Sequence, residues 1–163
     1  VAKMSEITKR LYVEKIRNGT VIDHIHPGFA FSVLKILGYE GKDGNLITLG
    51  INVKSNSSQS GKKDIIKFED VKLDEKEIHQ IALISPRSKV SFIDNYKVID
   101  KFVVKLPKSI EGIVKCPNEK CITNVEREPV ATEFKVLSDD PLKVACSYCE
   151  RIVFKEEIMR TSF

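Results

Sequence analysis

Apolar residues along the chain change period several times, and each change predicts a new element. Residues 1–10 are polar and aperiodic, which predicts a loose arm; a first strand is predicted over 11–17 and is broken by Asn18-Gly19. Pro27 suits the first turn of a helix, where a backbone N–H would lack an intrahelical partner anyway. Phe29, Val33, Leu34, Ile36 and Leu37 then recur at helical spacing, and Gly38 supplies the stop. From 45 to 54 the period falls to two, with Ile47, Leu49, Ile51 and Val53 on one face of a second strand. The serine-rich stretch 55–61 reads as a mobile loop, and a third strand follows over 62–71. Asp74 and Glu77 form a capping box, Leu73 staples onto Ile78, and Ile78, Ile81 and Ala82 mark the buried stripe of a second helix that ends before Pro86. A long fourth strand, 89–104, is predicted with a bend near Asn95.

The order β-α-β-β-α-β is the ferredoxin-like one and predicts a four-stranded antiparallel sheet with both helices on one face. The segment 106–109 has the composition of a hinge. Beyond it, short strands are predicted around 113–115, 132–137, 142–145 and 152–155. The fold class is therefore α+β, a ferredoxin-like βαββαβ N-terminal domain followed by a small all-β domain. A domain of roughly 60 residues can bury only a small core, so packing supplies only part of its stability.

Cysteine chemistry supplies what that small domain lacks. All four cysteines lie in it, Cys116 and Cys121 as C-x4-C, then Cys146 and Cys149 as C-x2-C. Two such pairs can complete a tetrahedral shell of thiolates with no position left for water, which is a structural zinc site and not a catalytic one. Two disulfides, or four buried thiols, are the alternative; disulfides favour a secreted chain, and no signal peptide is evident, so a cytoplasmic location is expected. The chain of 163 residues is 42% apolar and 31% charged, the balance of a globular protein, and no apolar run is long enough to span a bilayer. A net charge of +4, spread along the whole length, selects no partner. A zinc-ribbon nucleic-acid binder would share the cysteines but should interleave aromatic and basic residues, and Tyr148 is the one aromatic inside either cysteine pair. A small enzyme is the other alternative, yet no Ser/His/Asp set and no glycine-rich phosphate loop is present.

Residues 20–25 (TVIDHI), 63–67 (KDIIK), 93–96 (IDNY), Cys116-Pro117-Asn118 and Cys146-x-Tyr148-Cys149-Glu150 together resemble the regulatory chain of aspartate carbamoyltransferase, in order and over about 12–154. The resemblance implies a nucleotide-binding allosteric domain over 1–103 and a zinc domain over 104–163, with one structural Zn2+ per chain, docked on a separate catalytic chain. It implies a chain that catalyses nothing itself, pairs as a homodimer, bridges catalytic trimers in pyrimidine biosynthesis, and answers to CTP, UTP or ATP. Neither nucleic acid nor membrane is an expected partner.

The same resemblance assigns residues. His24, Lys63, Lys67 and Lys101 would gather around a triphosphate; Lys63 and Lys67, four apart on a strand, leave the same face, and although such a pair by itself reads better as a solvated strand face, the surrounding motif reverses that. Val13, Glu14, Ile16, Ile93, Tyr96 and Val98 would surround base and ribose, partly through main-chain groups. Asp23 has three open readings: facing the ribose, holding a Mg2+ shared by two nucleotides, or orienting His24 and Lys63. Asn118 and Glu150 would meet the catalytic chain. Two positions depart from the pattern, Ser91 where Asn stands near the base and Lys120 where some members have Asn. His26 and His79 take no role and read as helix-start or surface histidines.

Overall fold

In a computed structural model, residues 13–127 and 130–161 are described. The strands form two sheets. The first is five-stranded and antiparallel, in the order β2-β3-β1-β4-β5, from β1 (Gly19–Ile25), β2 (Ile47–Lys54), β3 (Lys62–Glu69), β4 (Lys89–Asp94) and β5 (Lys97–Val103). Its first four strands keep the ferredoxin-like order, and α1 (Ala30–Ile36) and α2 (Glu75–Ile84) supply the two helices.

Two expectations shift. Residues 13–17 are irregular, and the first strand is the next segment, Gly19–Ile25; positions 1–12 lie outside the described residues. Gly19 makes this start possible, because its φ is +128° and a Cβ there would sit 1.9 Å from the Phe68 carbonyl oxygen. The long fourth strand is instead a hairpin, β4 and β5, turned by Asn95 and Tyr96 with φ of 47° and 64°. Two consecutive left-handed residues give the turn that matches strand twist, and they add the fifth strand.

Alternation along the strands sorts the two faces. Thr20, Ile22, Ile66, Phe68 and Val90 are buried with Val33 and Ile36 of α1 and Ile81 and Ala82 of α2. α2 begins as expected, with Asp74 accepting from the Glu77 amide and Glu77 accepting from the Asp74 amide, both at 2.8 Å. α1 has no such cap of its own. The fully buried Asp64 carboxylate does that work from β3, accepting from Gly28 at 2.8 Å, Ala30 at 3.1 Å and Asn52 at 2.9 Å.

The second sheet has the order β6-β7-β8-β9, from β6 (Ser109–Glu111), β7 (Glu133–Asp139), β8 (Leu142–Cys146) and β9 (Ile152–Phe154). Its first strand falls at 109–111 and not around 113–115, since Ile110 is the residue paired with Phe134 in the small core. A helix that the pattern did not predict, α3 (Lys155–Thr161), closes the unit with Ile158 buried. Between the sheets the main chain stays tied to the first one through Val104, which donates to Ser88 at 2.8 Å and accepts from Arg87 at 3.1 Å. Among the described residues no helix is long and apolar enough to cross a membrane.

Candidate functional site

Pairing register builds the first site. Lys67, Val21, Ser91 and Lys101 are successive cross-strand partners from β3 through β1 and β4 to β5, so they form one row on the sheet face away from the helices. Gly19, Ile93 and Val98 form the row on one side of it, and Asp23 and Lys89 the row on the other. Lys63 lies on this face too, four residues from Lys67.

A bulge in β1 re-aims the polar residues. The register shifts between Ile22 and Ile25, and His24 takes φ of 57°, so that Asp23 and His24 both stay out of the helix-side core. Lys63 Nζ lies 2.8 and 2.9 Å from the two carboxylate oxygens of Asp23. The His24 amide donates to Asp23 at 2.7 Å, and the His24 ring meets Ser57 Oγ at 2.7 Å through Nε2. Nδ1 sits 3.2 Å from Asp23 Oδ2, outside hydrogen-bond geometry. Burial raises the Asp23 pKa, but the Lys63 and His24 hydrogen bonds and the Lys63 charge outweigh it, and the carboxyl ends below its ordinary value. Burial lowers the pKa of His24, with the charges of Lys63 and Lys89 acting the same way and Asp23 opposing them.

Segment 13–17 runs over the same face. Lys67, itself buried, donates to the carbonyls of Val13, at 3.4 Å, and Glu14, and burial lowers its pKa. The Val13 side chain stands over Gly50, where an added Cβ would meet it at 3.2 Å. Ile16 is buried, and the Arg17 carbonyl accepts from Tyr96 at 2.8 Å, which brings the β4–β5 turn to this segment. Val13, Glu14, Ile16, Asp23, His24, Lys63, Lys67, Ile93, Val98 and Lys101 are thus brought to one sheet face and the segment across it. Tyr96 stands at its edge, 60% exposed. The sequence reading passed over Lys89 and Ser57; period two from Ser91 would have found Lys89, while Ser57 lies in the stretch read only as a loop.

The second site is the cysteine cluster. The sulfurs of Cys116, Cys121, Cys146 and Cys149 all lie within 4.8 Å of one another, with Cys116–Cys149 at 3.7 Å and Cys121–Cys146 at 3.8 Å. Four thiolates about 2.3 Å from a central ion form a tetrahedron of edge roughly 3.8 Å, so the set fits a metal, and these separations exclude disulfides between the two close pairs. Cys116, Cys121 and Cys146 are buried. Burial pushes the Cys116 thiol up to about 12, whereas the Asn118 side chain and the Arg151 amide bring Cys149 down to about 6. A cation at the centre would favour the thiolate at every position.

Local hydrogen bonds shape both cysteine loops. Asn124 Nδ2 donates to the carbonyls of Cys116, at 2.9 Å, and Asn118, at 2.8 Å, and Thr123 Oγ1 donates to Cys121 Sγ at 3.2 Å. The Glu150 amide donates to the Cys146 carbonyl at 2.9 Å with Glu150 at φ of 59°, leaving its side chain exposed. Asn118 is partly buried and its Oδ1 accepts from the Lys120 amide at 3.1 Å, so much of its polar capacity serves the loop itself. Thr123 and Asn124 were missed by the sequence reading, and no spacing rule would have marked them.

The two units match two family profiles, described as the aspartate carbamoyltransferase regulatory chain allosteric domain, over 11–105, and its metal binding domain, over 108–159. The chain belongs to the family of aspartate carbamoyltransferase regulatory chains. It is 47% identical to the regulatory chain of Sulfolobus acidocaldarius over 151 residues, 93% of this chain and 90% of that one. Its identity to the Pyrococcus horikoshii regulatory chain is 48% over 150 residues, 91% and 96% of the two chains. To that of Metallosphaera sedula it is 44% over 157 residues, 96% and 98%. Membership makes it a regulatory chain and not a catalytic one, with the first sheet in the allosteric match and the four cysteines in the metal-binding match.

Proposed function

We propose that this regulatory chain binds CTP, UTP and ATP on the open face of its first sheet and passes the effect to the catalytic chain of aspartate carbamoyltransferase. The row Lys67–Val21–Ser91–Lys101, flanked by Lys63 and His24, carries the reading, since it brings basic side chains from β3, β1 and β5 to one surface. Triphosphate oxygens would take charge-assisted bonds from Lys63, Lys67 and Lys101, with His24 beside them. Ile93, Val98 and Tyr96 would offer apolar contact to base and ribose, and the main chain of Val13, Glu14 and Ile16 the donors and acceptors that distinguish an amine from a carbonyl. Asp23, held to Lys63, is the carboxylate through which a Mg2+ would join two nucleotides.

The metal is proposed to be one structural Zn2+ on Cys116, Cys121, Cys146 and Cys149, consistent with a closed four-thiolate set. The working division is 1–103 for the allosteric unit and 104–163 for the unit that docks on catalytic trimers. Glu150 and Asn118 lie in or next to the two cysteine pairs, as do the exposed Ile122, Val125 and Tyr148, apolar side chains suited to that docking. Regulatory chains are proposed to pair through the first unit, where Phe31 and Leu46 are exposed. Calorimetry of CTP on the purified chain tests the nucleotide reading. Saturable binding that Lys67→Met weakens by at least about tenfold supports it, and equal binding by both proteins refutes it.

A further inference from the structure

The sheet face and the metal-binding unit are joined by a contact that neither site uses. Lys63 is followed in β3 by Asp64, whose side chain leaves the opposite face and accepts from the amides of Gly28 and Ala30 at 2.8 and 3.1 Å. Those two residues flank Phe29. Over the Phe29 ring, 4.3 Å from its centroid, lies the ammonium of Lys155, the first residue of α3. The same ammonium donates to the carbonyl of Ile84, at the C-terminal end of α2, where the helix dipole favours a cation. Lys155 follows directly on β9, whose Val153 is fully buried and paired with Val144 of β8, the strand that ends in Cys146.

Lys155 also lines a cleft of about 560 Å³ between the two units, together with Asp140 and Glu156. A cation carried on a helix of one unit and held by a ring and a carbonyl of the other moves with both, which is what a coupling contact requires. We propose that Lys155 is a positioning residue that couples the two units through the sequence Lys63, Asp64, Phe29 and Lys155. The proposal rests on the nucleotide reading above: exchange of the Lys63–Asp23 pair for phosphate moves β3, Asp64 carries this to the start of α1, and Phe29 resets the position of Lys155.

The test uses the chain assembled with its catalytic partner and reads the factor by which CTP shifts the half-saturating aspartate concentration. Lys155→Met keeps the aliphatic stem and removes the charge. Unchanged CTP affinity and metal content, with the coupling factor reduced by about threefold or more and largely restored in Lys155→Arg, is the expected result. A wild-type coupling factor in Lys155→Met overturns the route and leaves the nucleotide site standing. Equal loss of coupling and metal in the Met and Arg variants also overturns it, as a purely structural effect. If Lys155→Met does not assemble, Phe29→Leu carries the same measurement, and an unchanged factor there is decisive against the route. A wild-type chain that binds no CTP overturns both readings together.

Discussion

Replacing Asp64 tests how the first unit is held together. The carboxylate is fully buried and accepts three main-chain amides, two at the start of α1 and one from Asn52 in β2, where the register with β3 shifts and φ is 56°. Asp64→Ala leaves all three donors without their partner. Each unsatisfied buried donor costs about 1–3 kcal/mol, so the loss is expected near 4 kcal/mol after relaxation and water entry. That is a large part of an ordinary domain's 5–15 kcal/mol, roughly. At about 2–4 °C per kcal/mol for a chain of this size, the midpoint should fall by roughly 8–16 °C. Asp64→Asn should cost about half as much: its oxygen can serve Gly28 and Ala30, but its NH2 then faces the Asn52 N–H, donor against donor. Thermal unfolding by far-ultraviolet circular dichroism, at constant metal and protein concentration, measures both. A shift below about 3 °C for the alanine variant, or an asparagine variant worse than alanine, would refute the reasoning.

Stripping the metal with a mercurial should unfold the second sheet while the first persists, because thiolate ligation contributes about 10–16 kcal/mol in small zinc domains; amide exchange by segment reads this, and a protected second sheet without metal would contradict it. Acid should release the metal, since protons compete for thiolates that burial already disfavours at Cys116; zinc release followed against pH must rise as pH falls. His24 gives a second pH dependence. Its pKa is lowered in the free chain, so the neutral form is favoured and its contribution to stability is lost as pH falls through the ordinary value and then the lowered one. A bound phosphate raises that pKa, so CTP affinity should increase as pH falls through this range, and the increase should be smaller in His24→Gln. Lys67→Met should weaken CTP and ATP together by about 10- to 150-fold, read by calorimetry, whereas a change at Tyr96 should alter their ratio.

What could be read from the residues divides by sequence distance. The cysteine shell was legible because each pair is local and thiolates so spaced have few other uses. The capping box of α2 and the Gly38 stop of α1 were legible for the same reason. The β4–β5 hairpin was not, since Tyr96 is an unusual residue for a left-handed position and the hydrophobic alternation runs through the turn. The segment that became β1 was not predicted as a strand, because Asp23 and His24 interrupt its alternation, and the bulge that accommodates them is visible only in the pairing. α3 has one buried residue, Ile158, and its start depends on Glu157 accepting from Phe154 and Arg151, so its stability is tertiary. At the first site, residue types were legible and their arrangement was not: the row linking Lys67 to Lys101 depends on three registers. Asp64 stood inside a quoted motif, yet its three partners lie 12, 34 and 36 residues away.

The two sites are built on opposite plans, and the difference bears on regulation. The cysteine set fits one ion with every ligand position filled, which suits a part that holds shape. On the sheet face two of the cations already have internal partners: Lys63 has Asp23, and Lys67 has the carbonyls of Val13 and Glu14. On the proposed reading, a triphosphate therefore exchanges bonds more than it adds them, and the net affinity is less than the sum of its contacts. The released groups are then free to rearrange, and they lie on different elements, Asp23 in the bulge of β1 and Val13 and Glu14 in the covering segment. A ligand can shift a conformational equilibrium only by its difference in affinity for the two states. A site that must break internal pairs in order to bind has that difference built into it, because any state in which those pairs are already loosened binds the nucleotide more tightly.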